Sequence, residues 1–161
     1  NTRHARPVHS RMTTSQSVAS VTVGAVHRLV PFAHVAEVDA SLAFYALLGF
    51  APVNVLKDAR GVAFWAMAKS DGAEIMFARA DGPVDAAEQA VLFYMYSDDV
   101  AALRKSLIAG GLHDGGRYNG VSAPYDGRRM VFEVAYPVHM PAGELRVQDG
   151  DGYVILVGQL A

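Results

Sequence analysis

The stretch LVPFAHVAEVDASLAFYALLGF, residues 29–50, changes its apolar period part-way along. Leu29–Val35 reads as a strand, and Pro31 places it at a sheet edge or marks a strand start, because proline has no N–H to give to a ladder. From Val38 onward, Val38, Leu42, Tyr45 and Leu48 recur at helical spacing. Asp39 or Ser41 offers the N-cap and Gly49 the terminator. Working outward, three strand-like runs follow at Phe50–Leu56, Gly61–Ala68 and Ala73–Ala78, with turns at Lys57–Arg60 and Lys69–Gly72. Residues 81–89 are polar, contain Gly82 and Pro83, and read as a linker.

The same order then returns. Ala90–Tyr96 is strand-like, Asp98 or Asp99 caps a helix carrying Val100, Leu103, Leu107 and Ile108, and Gly110 and Gly111 end it. Strand-like runs follow around Arg129–Val134, Glu144–Gln148 and Tyr153–Val157. Gly49 and Gly110 lie 61 positions apart, so the chain reads as a duplicated α+β unit, strand, helix, then strands. The second copy is longer. Residues 119–143 hold Asn119-Gly120, Pro124, Asp126-Gly127, Pro137 and Pro141, the turn formers of an inserted loop with a short hairpin.

Composition limits what such a chain can do. It has 161 residues, 52% hydrophobic and 19% charged, with a formal net charge of −2 and no cysteine. This excludes disorder as the main state, a disulfide scaffold, a thiolate metal site and a cysteine nucleophile. Near-neutral charge argues against nucleic acid as a partner. No apolar run approaches the roughly 18–20 residues of a membrane span. No acidic residue precedes Glu37, and the first 36 residues carry Arg3, Arg6, Arg11 and Arg28 with a Ser/Thr-rich run at 11–20. Residues 1–27 are expected to be a flexible leader or engineered remnant; a transit peptide and a basic arm are the competing readings. Val18–Val26 is too interrupted for a secretory signal, so a cytoplasmic location is expected. No G-x-S-x-G elbow and no phosphate-cradling glycine loop is present.

SLAFYALLGF (41–50), YSDDVAALRKSLIAGGL (96–112), APYDGRR (123–129) and DGDGYVILVGQ (149–159) together resemble the vicinal oxygen chelate superfamily of glyoxalases, extradiol dioxygenases and bleomycin resistance proteins. The last segment resembles that family's D-P-D-G-Y turn, with Gly150 in place of proline, and segment 128–147 departs from the family by its length. The resemblance covers about residues 28–160. It implies paired β-α-β-β-β modules, about 28–80 and 90–160, forming a curved mixed sheet with a concave cavity.

The resemblance also implies a test. Metal-dependent members place one His, Glu or Gln ligand on the first and last strand of each module. Carried over, these positions fall on Pro31, on Met76 (or Glu74 with a shifted register), on Leu92 and on Leu156. Proline and leucine offer no donor to a divalent cation, and a one-residue slip would turn the side chain to the other face. No metal or other cofactor is therefore expected. His34 is expected to pack against a helix or at a strand end, and His113 to be solvated. His139 with Glu144 and Glu74 is the remaining, non-standard metal option.

Without a metal, the lining must carry the chemistry. Alternation puts Leu92, Tyr94 and Tyr96 on one face and Phe93 and Met95 toward the helices. Glu74, Met76 and Ala78 share a face, as do Val154, Leu156 and Gly158. Trp65 takes either side, and Glu74 is a candidate for pairing with an arginine. Tyr125, Met130, Tyr136 and Met140 belong to the long loop or its flanks, and Arg146 is a charged addition. The expected ligand site is therefore Trp65, Glu74, Met76, Leu92, Tyr94, Tyr96, Tyr125, Met130, Arg146 and Leu156. Its aromatic and methionine-rich character suits an apolar or aromatic small molecule. The leading expectation is a binding protein of the bleomycin resistance type, without catalytic residues, and the resemblance implies a homodimer. A metal-dependent lyase, isomerase or dioxygenase is one alternative. An interaction module whose cavity is filled by its own side chains is the other.

Overall fold

A computed structural model describes residues 26, 28–120 and 127–160. The duplication is realised as two mixed sheets, each with one helix on one face. In the first unit β1 (Phe32–Val35), α1 (Val38–Ala46), β2 (Ala51–Lys57), β3 (Ala63–Ser70) and β4 (Ala73–Arg79) form a sheet of order β1-β4-β3-β2. In the second, β5 (Leu92–Ser97), α2 (Val100–Ala109), β6 (His113–Asp114), β7 (Met130–Val131), β8 (Glu144–Gln148) and β9 (Val154–Gln159) form a sheet of order β5-β9-β8-β7-β6. The opening strand of each unit pairs in parallel with its last strand, and the remaining neighbours are antiparallel except β6 and β7. Among the described residues no helix is long and apolar enough to cross a membrane.

The strands alternate as their sequences require. Ala33, Val35, Ala66, Ala68, Ile75 and Phe77 are buried toward α1, and Phe93, Leu145, Val147, Ile155 and Val157 toward α2. Each fully buried large apolar side chain contributes about 1.5–3 kcal/mol relative to exposure. The centre of the first unit is aromatic: Tyr45 meets Phe77 at 4.8 Å and Phe44 at 5.4 Å between ring centroids.

Two helix boundaries differ from the sequence reading, and β1 and β7 are shorter than the expected runs. The N-cap of α1 is Glu37, with no side-chain cap, and neither Asp39 nor Ser41 serves. Ser41 is buried inside the helix, and its hydroxyl donates to the Glu37 carbonyl at 3.3 Å. An apolar face wins over capping chemistry there, because Val38 must be buried. At α2 the expected Asp99 does cap, accepting from the Ala102 N–H at 2.9 Å. Both helices end the same way. Phe50 N–H reaches back to the Tyr45 carbonyl and Leu112 N–H to that of Leu107, each across a glycine with positive φ, Gly49 (90°) and Gly111 (96°). Gly111, not Gly110, is thus the counterpart of Gly49. The repeat offset becomes 62, the same offset that separates the helix starts Val38 and Val100.

The β8–β9 turn joins the two units. The Tyr153 hydroxyl donates to the His34 carbonyl at 2.9 Å, and Asp151 Oδ1 accepts the Ala36 N–H at 2.9 Å. Asp149, 2% exposed, accepts the N–H groups of Tyr153 at 2.8 Å and Asp151 at 3.0 Å on Oδ1. Burial pushes its carboxyl up to about 7 despite these bonds. The linker closes over the same turn: a short 3-10 turn at Ala86–Glu88 lies so near that a Cβ on Gly152 would sit 2.0 Å from the Ala86 carbonyl oxygen.

Candidate ligand site

The faces turned away from the helices hold the chemistry. On the first sheet this face carries Phe32 and His34, Glu74, Met76 and Ala78, and Trp65 and Met67, paired through the registers Phe32↔Met76, Trp65↔Ala78 and Met67↔Met76. His34 therefore lies on the open face, with its ring edge-on to Phe32 at 5.8 Å, and not against the helix. Trp65 also takes this side. A bulge, seen as the register Leu56↔Trp65 followed by Lys57↔Ala63, throws Phe64 outward beside it. Phe64 and Trp65 line a cavity of about 630 Å³ with Leu56, Ala78 and Arg79. Glu74 is engaged by Arg28 and by Lys69, its cross-strand neighbour, whose Nζ lies 2.5 Å from Oε1. The expected carboxylate–arginine pair is thus present, with a lysine added.

On the second sheet the open face carries Leu92, Tyr94 and Tyr96 from β5, Leu156 and Gly158 from β9, and Glu144 and Arg146 from β8. Met130 joins this face through its pairing with Gln148. Tyr125 lies outside the described residues. Leu92, Tyr94 and Tyr96 are exposed, and the two tyrosine rings stand 5.4 Å apart.

Within the long loop, residues 135–144 fold back over this face. Ala135 and Glu144 bridge its ends, a turn at Pro137–Met140 closes it, and Met140 rests on Gly158, where an added Cβ would meet its Cε at 2.7 Å. The fold-back makes a cluster that the spacing did not predict. Glu144 Oε2 accepts the Tyr94 hydroxyl at 2.6 Å and lies 3.0 Å from His139 Nε2. The bond to the carboxylate, with partial burial adding to it, pushes the Tyr94 phenol up to about 12. Tyr94 is therefore a fixed donor at neutral pH and not a base. Glu74 belongs to the other sheet, held by Arg28 and Lys69, so the His139–Glu144–Glu74 grouping is not assembled. Among the described residues no group of three or more His, Asp or Glu side chains gathers to hold a metal.

Glu144, Arg146 and Leu156 line a cavity of about 510 Å³ with Arg117, Tyr118 and Tyr136. Tyr94 and Tyr96 also line a cavity of about 490 Å³ where the units meet, opposite Phe50 and Ser70–Ala73. The expected site residues are thus grouped by sheet. Trp65 belongs to one cavity, Arg146 and Leu156 to another, and Tyr94 and Tyr96 to a third.

The offset of 62 also refines the metal positions. It pairs Leu92 with residue 30, a valine, instead of Pro31, while Met76 and Leu156 correspond because they face Phe32 and Tyr94 across their ladders. Val30, Met76, Leu92 and Leu156 supply three hydrocarbon side chains and one thioether. That set does not fit a divalent hard or borderline cation.

No family model and no curated protein matches the sequence. Solved structures do match the fold. A bleomycin-binding protein complexed with bleomycin is 18% identical, with a TM-score of 0.62 over 84% of this chain and 100% of that one. A bleomycin resistance determinant encoded on a transposon is also 18% identical, with a TM-score of 0.61 over 83% and 98%. A glyoxalase-related enzyme from Clostridium phytofermentans is 13% identical, with a TM-score of 0.60 over 87% and 100%. The chain has the glyoxalase/bleomycin resistance fold.

Proposed function

We propose that this chain is a metal-independent binding protein that sequesters an apolar or aromatic small molecule, and that it works as a cytoplasmic homodimer. One observation carries the reading: the open faces of both sheets expose aromatic and apolar side chains among a few charged ones, and hydrocarbon or thioether side chains stand where this fold would carry a metal. Phe32, Leu56, Phe64, Leu92, Tyr94 and Tyr96 all remain exposed in the single chain. Exposed aromatic surface of this extent marks an interface or a ligand surface. Pairing the open face of one copy's first sheet with that of another copy's second sheet would enclose Trp65 and Tyr94 in one cleft. The fold likeness to a bleomycin-binding protein supports a small-molecule ligand.

The test is a titration of purified protein with bleomycin and a panel of flat apolar compounds, following Trp65 fluorescence and melting temperature. A ligand that binds the native state must raise its stability, by about 2.7 kcal/mol at a hundredfold excess over Kd. A melting point unmoved by the whole panel would sink the proposal. Light scattering gives the oligomeric state independently. A stoichiometric transition metal surviving dialysis would favour the metal-dependent lyase, isomerase or dioxygenase instead.

A further inference from the structure

Arg146 is a half-buried cation whose side chain has no hydrogen bond or ion pair among the described residues. Its guanidinium carbon lies 4.1 Å from the centroid of the Tyr118 ring. Stacking of this kind orients the planar guanidinium and leaves its N–H edge free. The carboxylate on the same strand, Glu144, receives Tyr94 and His139 on Oε2 and makes no ion pair with Arg146 among the described residues. Glu133, the other acid of the cavity, is exposed at its rim. Leu156 and Tyr136 supply apolar and aromatic wall beside the guanidinium. A partly desolvated cation left without a counter-charge is unfavourable unless something completes it, and a guanidinium fork best fits two coplanar or tetrahedral oxygens.

We propose that Arg146 is the anion anchor of the ligand site, and that the ligand is an aromatic compound carrying a carboxylate, sulfonate or phosphate group. This rests on the binding reading above and narrows its ligand class. The anionic group lies on the Arg146 fork, Tyr118 holds that fork in place, and the aromatic body lies over Leu156 toward Tyr136. Tyr118 is a positioning residue, since it acts through Arg146.

A matched pair of dyes tests this: anilinonaphthalene sulfonate and the parent anilinonaphthalene, which has the same rings and no anion. Wild type is expected to bind the sulfonate more tightly. Arg146→Met should weaken the sulfonate about tenfold and leave the neutral dye unchanged. Arg146→Lys, which keeps the charge without the fork, should restore only part of the preference, and Tyr118→Leu should reduce it with Arg146 still present. Melting curves of each variant establish that it is folded. Equal binding of the two dyes by wild type would overturn the anchor and leave the binding reading standing. A sulfonate preference that survives in Arg146→Met would overturn it as well, placing the anion on another cation. Binding of neither dye would overturn the anchor and leave the binding reading to the ligand panel above.

Discussion

The Tyr94 hydroxyl donates to Glu144 Oε2 at 2.6 Å, joining the opening strand of the second sheet to the end of the inserted loop. The bond holds the phenol protonated to about pH 12. Near-ultraviolet absorbance titration should therefore show late-ionising tyrosine in wild type, and its amplitude should fall by one phenol in Tyr94→Phe, with the buried Tyr45 still contributing. In Glu144→Gln the carboxylate is gone, so the Tyr94 titration should move back down toward its ordinary value of 10.0. An unchanged titration in Glu144→Gln would contradict the assignment.

Asp149 gives stability a pH dependence of definite sign. Its carboxyl is raised from 3.8 to about 7 by burial, so the folded chain binds this proton more tightly than the unfolded one. Stability is then full below about pH 4 as far as this group is concerned, falls as pH rises through about 7, and is level above that. A raise of this size corresponds to about 4 kcal/mol between its two protonation states. Asp149→Asn keeps an oxygen for the Tyr153 and Asp151 N–H groups and removes the titration. Urea unfolding at a series of pH values should show the decline in wild type and a flatter profile in the variant.

Gly152 is the position where a methyl group should do most harm. Its φ is +84°, and the added Cβ would overlap the Ala86 carbonyl, which is backbone and cannot swing aside. Gly152→Ala should cost at least about 2 kcal/mol, combining left-handed strain with displacement of the linker. By contrast, Gly158→Ala meets only the flexible end of Met140 and the Tyr94 hydroxyl, and should be milder. Thermal melting of the two variants side by side checks the ranking.

Tyr45 offers a gain. Its ring is fully buried, but its hydroxyl has no hydrogen-bond partner among the described residues. Burial, and then the nearby Asp149 charge, pushes the phenol well above its ordinary value. Removing an unsatisfied buried hydroxyl while keeping the ring should stabilise the fold by about 1 kcal/mol. Chemical denaturation of Tyr45→Phe would show this as a higher midpoint at unchanged slope. A loss of stability would mean the hydroxyl has a partner after all.

Much of this molecule is legible because strand alternation is local. Leu92, Tyr94 and Tyr96 share a face, and Phe93 does not, for reasons contained in six consecutive residues. The same holds for Glu74 and Met76. What escaped reading depends on distant chain. His34 faces outward because of where β1 sits beside β4, and Phe64 does so because β2 forces a bulge. The two-residue strand β6 is too short to leave a period, and the Tyr94–Glu144–His139 cluster forms only because residues 135–143 turn back over β9. The helix ends were legible as glycines, but only φ tells Gly111 from Gly110.

The insertion lies in one repeat alone. The offset is 62 up to the helix ends and grows to 80 between Met76 and Leu156, so 18 extra residues sit inside the second copy. The repeat lays out two equivalent walls, and only one of them carries the insertion. In a dimer that sets a plain wall against a furnished one, each cleft has polarity. A guest with unlike ends has one preferred way in, and a guest with two-fold symmetry gains nothing from its own.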